Sequence, residues 1–170
     1  MNLVIKLEDL LNRNIFFMDA VKNTVMDNSN FVRINYSNED IVTNGMYLIF
    51  GLTSTSLDRY YAKYKCYFSL SDNATILNKL FDVERQILLS YLNSNSNSNS
   101  NSNSNSNRKY NIGPRKIIFK LREQLKSGIL KIVNNTTITN TNIKVLLKIS
   151  GLWDSGDAIG LTYKFLCIQE

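Results

Sequence analysis

The chain has 170 residues, of which 44% are hydrophobic and 11% aromatic, and this is enough apolar material for one folded domain with a core. Its net charge of +6 favours anionic partners, either nucleic acid or a membrane surface. Histidine is absent, which excludes Ser-His and Cys-His catalysis and histidine-ligated metals. Because glycine-rich phosphate loops and cysteine pairs at zinc spacing are also missing, we expect no enzymatic activity, no cofactor and no metal site.

The chain lacks the marks of a secreted or membrane-spanning protein. No apolar run reaches the ~18 residues that a spanning helix needs. The first residues, MNLVIKLEDLL, do not have the basic segment and unbroken apolar stretch of a signal peptide. Cys66 and Cys167 fall on the inward faces of predicted strands, as expected for reduced thiols of an intracellular protein. We therefore predict an intracellular protein that is not secreted and has no membrane partner.

Hydrophobic periodicity divides the first part of the chain into one helix and several strands. In chain order, the pattern predicts a short strand or helix start at 3–7, a loosely periodic helix from 8 to about 26, and strands at 31–36, 46–52 and 59–70. Asn44-Gly45 is a turn signal in front of the strand at 46–52. A polar connection at 53–58 joins the last two strands, and we expect them to pair antiparallel.

The strand at 59–70 contains the candidate site. Side chains alternate across a strand, so one face, predicted to be the core face, carries Tyr60, Ala62, Tyr64, Cys66, Phe68 and Leu70. The opposite face carries Tyr61, Lys63, Lys65, Tyr67 and Ser69. Lysines framed by tyrosine rings offer charge for phosphates and flat surfaces for bases, as single-stranded nucleic acid requires. The same pattern also fits an ordinary half-exposed strand with solvated lysines.

A helix and a low-complexity tract follow this strand. Apolar residues at helical spacing predict a helix from about 74 to 92, with candidate N-cap residues at 71–73. Residues 93–107 alternate strictly between Asn and Ser, so they can neither bury surface nor fix a strand register. We predict a disordered Asn/Ser loop at 93–107 that interrupts a single domain spanning residues 1–170.

The last part of the chain repeats the outward lysines. It is predicted to form a short helix at 116–126, a strand at 129–133 and a hairpin of strands at 143–153 and 158–168. The predicted core face of the first hairpin strand carries Ile143, Val145, Leu147, Ile149 and Trp153. The outward positions of the hairpin include Lys144, Lys148 and Lys164. We therefore predict one continuous nucleic-acid-binding face formed by Tyr61, Lys63, Lys65, Tyr67, Lys144, Lys148 and Lys164.

These elements predict an α+β, β-rich fold, an OB-like antiparallel barrel or sheet with one or two packed helices. OB-folds bind single strands in a basic groove and stack bases on aromatic side chains. The predicted helix at 74–92 is near neutral, so it does not offer the basic helix that usually reads the major groove of duplex DNA.

Two segments resemble single-stranded-DNA-binding proteins of large DNA viruses. The first is Met46-Tyr-Leu-Ile-Phe-Gly-Leu52 with the tyrosine-rich strand and helix after it, and the second is Leu147-Lys-Ile-Ser-Gly-Leu-Trp153 with Ile159-Gly-Leu-Thr-Tyr-Lys-Phe165. Together they cover roughly residues 45–92 and 115–168. The resemblance implies an OB-type barrel that coats single strands, independently of sequence, during viral-type DNA replication or repair. Its implied partners are single-stranded DNA or RNA, replication proteins and further copies of the chain.

Two other classes of protein remain open. The order of a strand, a helix and further strands in the first half also resembles half of a sliding-clamp domain, which lines duplex DNA with lysines. A non-enzymatic structural or interaction protein would use the basic charge for solubility or for acidic partners. Three outcomes distinguish these classes. A single-strand-binding protein binds single strands in a salt-dependent way, a clamp forms a stable ring, and a structural protein does neither.

Overall fold

The computed structural model describes residues 4–10, 14–37, 41–53, 55–61, 63–97, 115–133 and 142–168. The strands of the described part are Val4–Lys6 (β1), Ile15–Lys22 (β2), Asn30–Ser37 (β3), Val42–Asn44 (β4), Met46–Leu52 (β5), Thr55–Tyr60 (β6), Lys63–Phe68 (β7), Lys116–Ile118 (β8), Ile129–Val133 (β9), Ile143–Asp154 (β10) and Ala158–Ile168 (β11). The α-helices are Ala74–Asn97 (α1) and Lys120–Lys126 (α2), and a single 3-10 turn covers Leu7–Asp9.

The long hairpin of β10 and β11 is the centre of the sheet, because each of its strands has further partners. Residues 143–149 of β10 pair antiparallel with β5, and residues 151–154 pair antiparallel with β3. β11 pairs in parallel with β8 at 158–160 and with β9 at 165–166. The main path is β1-β5-β10-β11-β9-β7-β6, and β2 and β4 flank β3. Among the described strands, β1 and β6 end this path without pairing to each other, so the mixed sheet is open.

A β-bulge changes which side of β10 faces the core. The hairpin register shifts between Ile149 and Gly151, which makes Ser150 an extra residue on β10. After the bulge, Leu152 is fully buried in the core and Trp153 lies on the opposite side of the sheet. The prediction that Trp153 shares the core face with Ile149 is therefore wrong, because one extra residue reverses a two-residue alternation.

Both helices pack against the same face of the sheet. The core between them is formed by apolar side chains that are at most 1% exposed, among them Met46, Leu48, Leu80, Ile87, Leu88, Leu121, Leu125, Val145 and Leu147. The Tyr91 hydroxyl of α1 donates a hydrogen bond of 2.9 Å to Asp154 at the end of β10. Asn73, directly before α1, accepts from the Thr53 N–H and donates to the Thr53 carbonyl, both at 3.0 Å. These contacts hold the beginning and the last third of α1 to the sheet.

The predicted helix from 8 to about 26 is wrong. In the structure a 3-10 turn at Leu7–Asp9 is followed by strand β2, which pairs antiparallel with β3. Backbone pairing with β3 determines the secondary structure of this segment more strongly than the helical spacing of a few apolar residues does.

The predicted strand at 59–70 is wrong in its extent and in its partner. The segment is the end of β6, a turn at Tyr61 and the strand β7, and the supposed polar connection at 53–58 contributes most of β6. β7 pairs with β6 and β9, whereas β5 pairs with β1 and β10. Leu70, predicted to face the core, lies beyond the end of β7 and is 45% exposed. Position 62, also assigned to the core face, lies outside the described residues.

Most other predicted elements are confirmed. The strands at 31–36, 46–52 and 129–133, the final hairpin and the helix beginning at 74 are present, and the predicted helix at 116–126 is divided into β8 and α2. Cys66 is fully buried as expected, whereas the side chain of Cys167 lies outside the described part of the chain. The predicted strand-rich α+β fold with one or two packed helices is confirmed, but the described strands do not close into an OB-like barrel. The prediction of an antiparallel sheet is wrong, because β1 pairs in parallel with β5 and β11 pairs in parallel with β8 and β9.

The Asn/Ser tract is partly helical. α1 extends to Asn97, so residues 93–97 of the predicted disordered loop belong to the helix, and the Ser94 hydroxyl donates to the Tyr91 carbonyl at 2.9 Å. Residues 98–107 lie outside the described residues. Within the described part of the chain, neither helix combines the length and the apolar character needed to cross a membrane.

Candidate nucleic-acid interface

The face of the sheet opposite the helices carries lysines on four adjacent strands. Lys148 of β10 pairs with Lys164 of β11, and Lys65 of β7 pairs with Lys131 of β9. The parallel register between β9 and β11 joins these two pairs, because its continuation places Lys164 beside Lys131. Cross-strand partners point to the same side of a sheet, so the four side chains form one line. We call Lys65, Lys131, Lys164 and Lys148 the lysine row.

The lysine row places like charges directly opposite each other. Like charges directly opposite each other in a sheet are destabilising. Strands are ~4.8 Å apart, so a row across four strands extends for ~14 Å. Lys131 and Lys164 are exposed and Lys65 and Lys148 are half-buried, while Asp58 of β6 pairs with Lys65 at the outer end of the row. A chain of phosphates lying along the row would relieve the repulsion between the lysines.

Tyrosine rings lie next to both ends of the lysine row. Tyr47 of β5 is the cross-strand partner of Lys148, whose Nζ lies 4.9 Å from the centre of the tyrosine ring. At the other end, the Nζ of Lys65 lies 4.8 Å from the centre of the Tyr60 ring. These cation–π contacts hold flat aromatic surfaces beside positive charges, which is the combination that single-stranded nucleic acids use.

Tyr60 and Tyr61 form the tip of the β6–β7 hairpin. Tyr61 is 84% exposed and its ring meets the Tyr60 ring edge to face, with the centres 4.8 Å apart. Tyr61 was predicted on a strand and Tyr60 on the core face, and both predictions are wrong. The turn makes Tyr60 the cross-strand partner of Lys63, so Tyr60 belongs to the face of the lysine row.

The structure brings most of the predicted site residues together. The predicted residues on the face of the lysine row are Lys65, Tyr67, Lys144, Lys148 and Lys164. Lys63 occupies the position of β7 next to Tyr60 in the register, and its side chain lies outside the described part of the structure. Tyr61 lies at the hairpin tip, beside this face and not within it.

Lys131 and Tyr47 belong to the same surface but were not predicted as site residues. Both lie in strands that the periodicity predicted correctly, at 129–133 and 46–52. Their outward positions follow from the same alternation that identified the other lysines. Alternation does not predict the order of the strands in the sheet. Lysines on separate strands form a row only when those strands are neighbours.

A second aromatic and basic group continues this face toward β3. Phe31 is the cross-strand partner of Trp153, and Arg33 is the partner of Gly151. The Arg33 guanidinium lies 5.8 Å from the centre of the Phe31 ring, and the Lys120 Nζ lies 5.8 Å from the centre of the Trp153 ring. Strict alternation along β10 would place Trp153 on the core face. The bulge brings Trp153 to the face of the lysine row instead, so the sequence pattern does not predict this group. The adjacent Ser150-Gly151 pair, where apolar alternation breaks, is the signal that could have identified the bulge.

The ionisable side chain of Tyr163 lies on the helix side of the sheet. The Tyr163 hydroxyl donates to Gln124 of α2 at 2.8 Å, and burial, followed by the charges of Glu84 and Glu123, raises the Tyr163 pKa to about 12. The described residues contain no group of three or more His, Cys, Asp or Glu side chains arranged to hold a metal ion.

Comparison of the chain with protein-family models, with curated proteins and with solved structures gives no match.

Proposed function

We propose that the chain binds single-stranded nucleic acid, in the first place DNA, along the lysine row and without sequence preference. The observation that carries the proposal is the pairing of Lys148 with Lys164 and of Lys65 with Lys131 in one line across four strands. Two like-charge pairs lower the stability of the fold, and phosphates along the row would offset that cost.

The tyrosines beside the row supply the surfaces on which bases stack. Tyr47 and Tyr60 each contact a lysine of the row, and Tyr61 is nearly fully exposed at the hairpin tip. Base stacking on aromatic side chains contributes ~1–3 kcal/mol per base and tolerates every base. This mode resembles the OB-fold combination of basic surface and aromatic rings, except that the strand would cross an open sheet face. We further propose a role in viral-type replication or repair, which is what the resemblance of the two sequence segments to viral single-stranded-DNA-binding proteins implies.

Fluorescence anisotropy with labelled oligo-dT and a matched duplex, at two salt concentrations, tests the proposal. We expect oligo-dT to bind more tightly than duplex, with an affinity that falls steeply with salt. The double variant Lys148→Glu with Lys164→Glu should lose most of this affinity. Removing two phosphate contacts should also reduce the slope of log K against log salt by ~1.4.

The matched control is Lys79→Glu with Arg85→Glu, which changes the net charge equally at exposed positions of α1 on the other side of the sheet. If the two double variants lose the same amount of oligo-dT affinity, the loss is an effect of net charge, and this would contradict binding along the lysine row. Tighter binding to duplex, together with a stable ring in solution, would instead identify a clamp-like protein. Absence of binding to either ligand at low salt would leave a structural or interaction role.

A further inference from the structure

A cavity of about 780 Å³ lies beside β11, between the connection of β2 and β3 and the helix α2, and residues from both sides of β11 line it. Its floor includes Phe31 and Trp153, and one wall is the segment 21–26. Thr162 also lines the cavity and lies two residues before Lys164 on β11, so the cavity adjoins the lysine row. The volume falls within the ~300–1,000 Å³ that is usual for small-molecule sites.

The floor of the cavity is aromatic and held in place. The indole of Trp153 lies so close to Gly160 that a Cβ added there would be 2.7 Å from a ring atom. Phe31 lies beside Trp153 as its cross-strand partner. Trp153 is only 8% exposed, so the half-buried Phe31 offers the more accessible ring of the two. Rings held in place in this way are preorganised for contact with a planar group.

The wall of the cavity is shaped by its own hydrogen bonds. The Asn23 side chain accepts from the backbone N–H groups of Val25 and Met26, at 3.0 and 3.2 Å, and the Ser29 hydroxyl donates to the Met26 carbonyl at 2.8 Å. Val25 is nevertheless 94% exposed and Met26 40% exposed. The wall therefore presents apolar side chains to solvent in a fixed conformation, which is typical of a surface that contacts a ligand.

The charge of the cavity is positive. Lys22, Arg33 and Lys120 line it, and the described lining residues include no Asp or Glu. Aromatic rings on the floor and three cations around them match the two parts of a nucleotide, a planar base and a phosphate.

We infer that this cavity holds one nucleotide, with its base against Phe31 and Trp153 and its phosphate at Arg33 and Lys120. The inference rests on the proposed function, because it gives a single strand that lies along the lysine row a fixed position for one of its nucleotides. The same chemistry would accept a free nucleoside monophosphate, so the test includes both ligands.

Intrinsic fluorescence provides a direct test, because Trp153 is the only tryptophan in the chain. Titration with dTMP and, separately, with oligo-dT should change the emission of Trp153 in a saturable way, with oligo-dT acting at far lower concentration. Phe31→Ala should weaken oligo-dT binding ~10-fold or more, through the loss of a stacking surface. Lys120→Glu, at an exposed position, should weaken the binding of both ligands, whereas Lys126→Glu on the same helix but outside the cavity should not.

The outcomes separate this inference from the proposed function. One outcome is that oligo-dT binds tightly by anisotropy while the Trp153 emission stays unchanged and the Lys120→Glu and Lys126→Glu variants keep equal affinities. This result would contradict the nucleotide site in the cavity and leave binding along the lysine row intact. Saturable quenching by dTMP without binding of oligo-dT would overturn the proposed function and keep the cavity as a site for a free nucleotide. If Phe31→Ala does not fold, comparison of the ligand affinities of Lys120→Glu and Lys126→Glu decides the test.

Discussion

The carboxylate of Glu84 on α1 accepts a hydrogen bond of 2.9 Å from the backbone N–H of Leu121, in the first turn of α2. Its second oxygen accepts from the N–H of Arg122 at 2.8 Å. The residue before α2, Phe119, provides no side-chain cap, so Glu84 satisfies backbone donors that the helix itself cannot. A fully buried carboxylate thus joins the two helices.

The first prediction concerns the pH dependence of stability. Burial raises the pKa of Glu84 above its ordinary value of 4.5, although the two backbone hydrogen bonds act in the opposite direction. The folded state therefore binds more protons than the unfolded state just above pH 4.5, and stability due to this group falls as pH rises. We expect the free energy of unfolding of the wild type, relative to Glu84→Gln, to decrease from pH 4.5 toward neutral pH in urea titrations.

The control for this prediction is Glu123→Gln, at an exposed position of α2. At neutral pH, Glu84→Gln should lose ~1–3 kcal/mol because one buried N–H loses its acceptor, whereas Glu123→Gln should stay within ~0.5 kcal/mol of the wild type. An increase of the wild-type advantage with pH would mean that the hydrogen bonds to the carboxylate outweigh its burial.

The second prediction is an opposite change of stability and binding. Lys164→Glu replaces a like-charge pair with Lys148 by an opposite-charge pair, so we expect the free energy of unfolding to rise by ~0.5 kcal/mol. Oligo-dT affinity should fall in the same variant, because a phosphate contact becomes a repulsion. Chemical denaturation and anisotropy on one preparation measure both effects. A variant that is less stable, or one that binds as well as wild type, would contradict the strained lysine row.

The third prediction tests the bulge with two glycines. A Cβ at Gly151 would overlap the carbonyl oxygen of Val32 and approach the Phe31 ring to 2.8 Å, whereas a Cβ at Gly51 would meet nothing within 4 Å. We expect Gly151→Ala to lose ~2 kcal/mol through overpacking and Gly51→Ala to gain ~0.5 kcal/mol, since glycine is unfavourable inside a strand. Urea titration of the pair measures the difference. Equal stabilities would show that β10 and β3 lie further apart at Gly151.

The fourth prediction concerns the tip of the β6–β7 hairpin. Tyr61 has a φ of 54°, a left-handed conformation that costs a non-glycine residue ~1–2 kcal/mol. Tyr61→Gly removes this strain at the loss of the ring contact with Tyr60, worth ~0.5–1.5 kcal/mol, so stability should not fall. Oligo-dT affinity should fall by ~1–3 kcal/mol if Tyr61 stacks on a base. Tyr61→Phe keeps the ring and should keep the affinity; a loss with Phe as well would assign the effect to the hydroxyl.

Local patterns predict those elements whose faces differ in polarity. β10 alternates up to its bulge and β11 over most of its length, and α1 has its apolar residues at helical spacing, so each was predicted from the sequence alone. β2 was missed because its residues 15–22 are mostly exposed, and pairing with β3, rather than a buried face, holds it in the sheet.

The candidate site, like the fold, is predicted from the sequence only where local alternation determines it. Alternation identified Lys65, Lys148 and Lys164 as outward residues, and the structure places them on one face. Their arrangement in a row depends on β9 lying between β7 and β11, a long-range pairing that no local pattern contains. The cavity depends on a single extra residue in β10, which a regular alternation cannot represent.

The position of both helices on one side of the sheet separates substitutions into two kinds. Core residues such as Leu147 and Val145 are sealed beneath α1 and α2, and substitutions there act on folding. Substitutions of the outward lysines change the surface charge without opening a void, so they leave the packing of the core intact. The charge of the open face can therefore change while the buried half of the molecule stays the same.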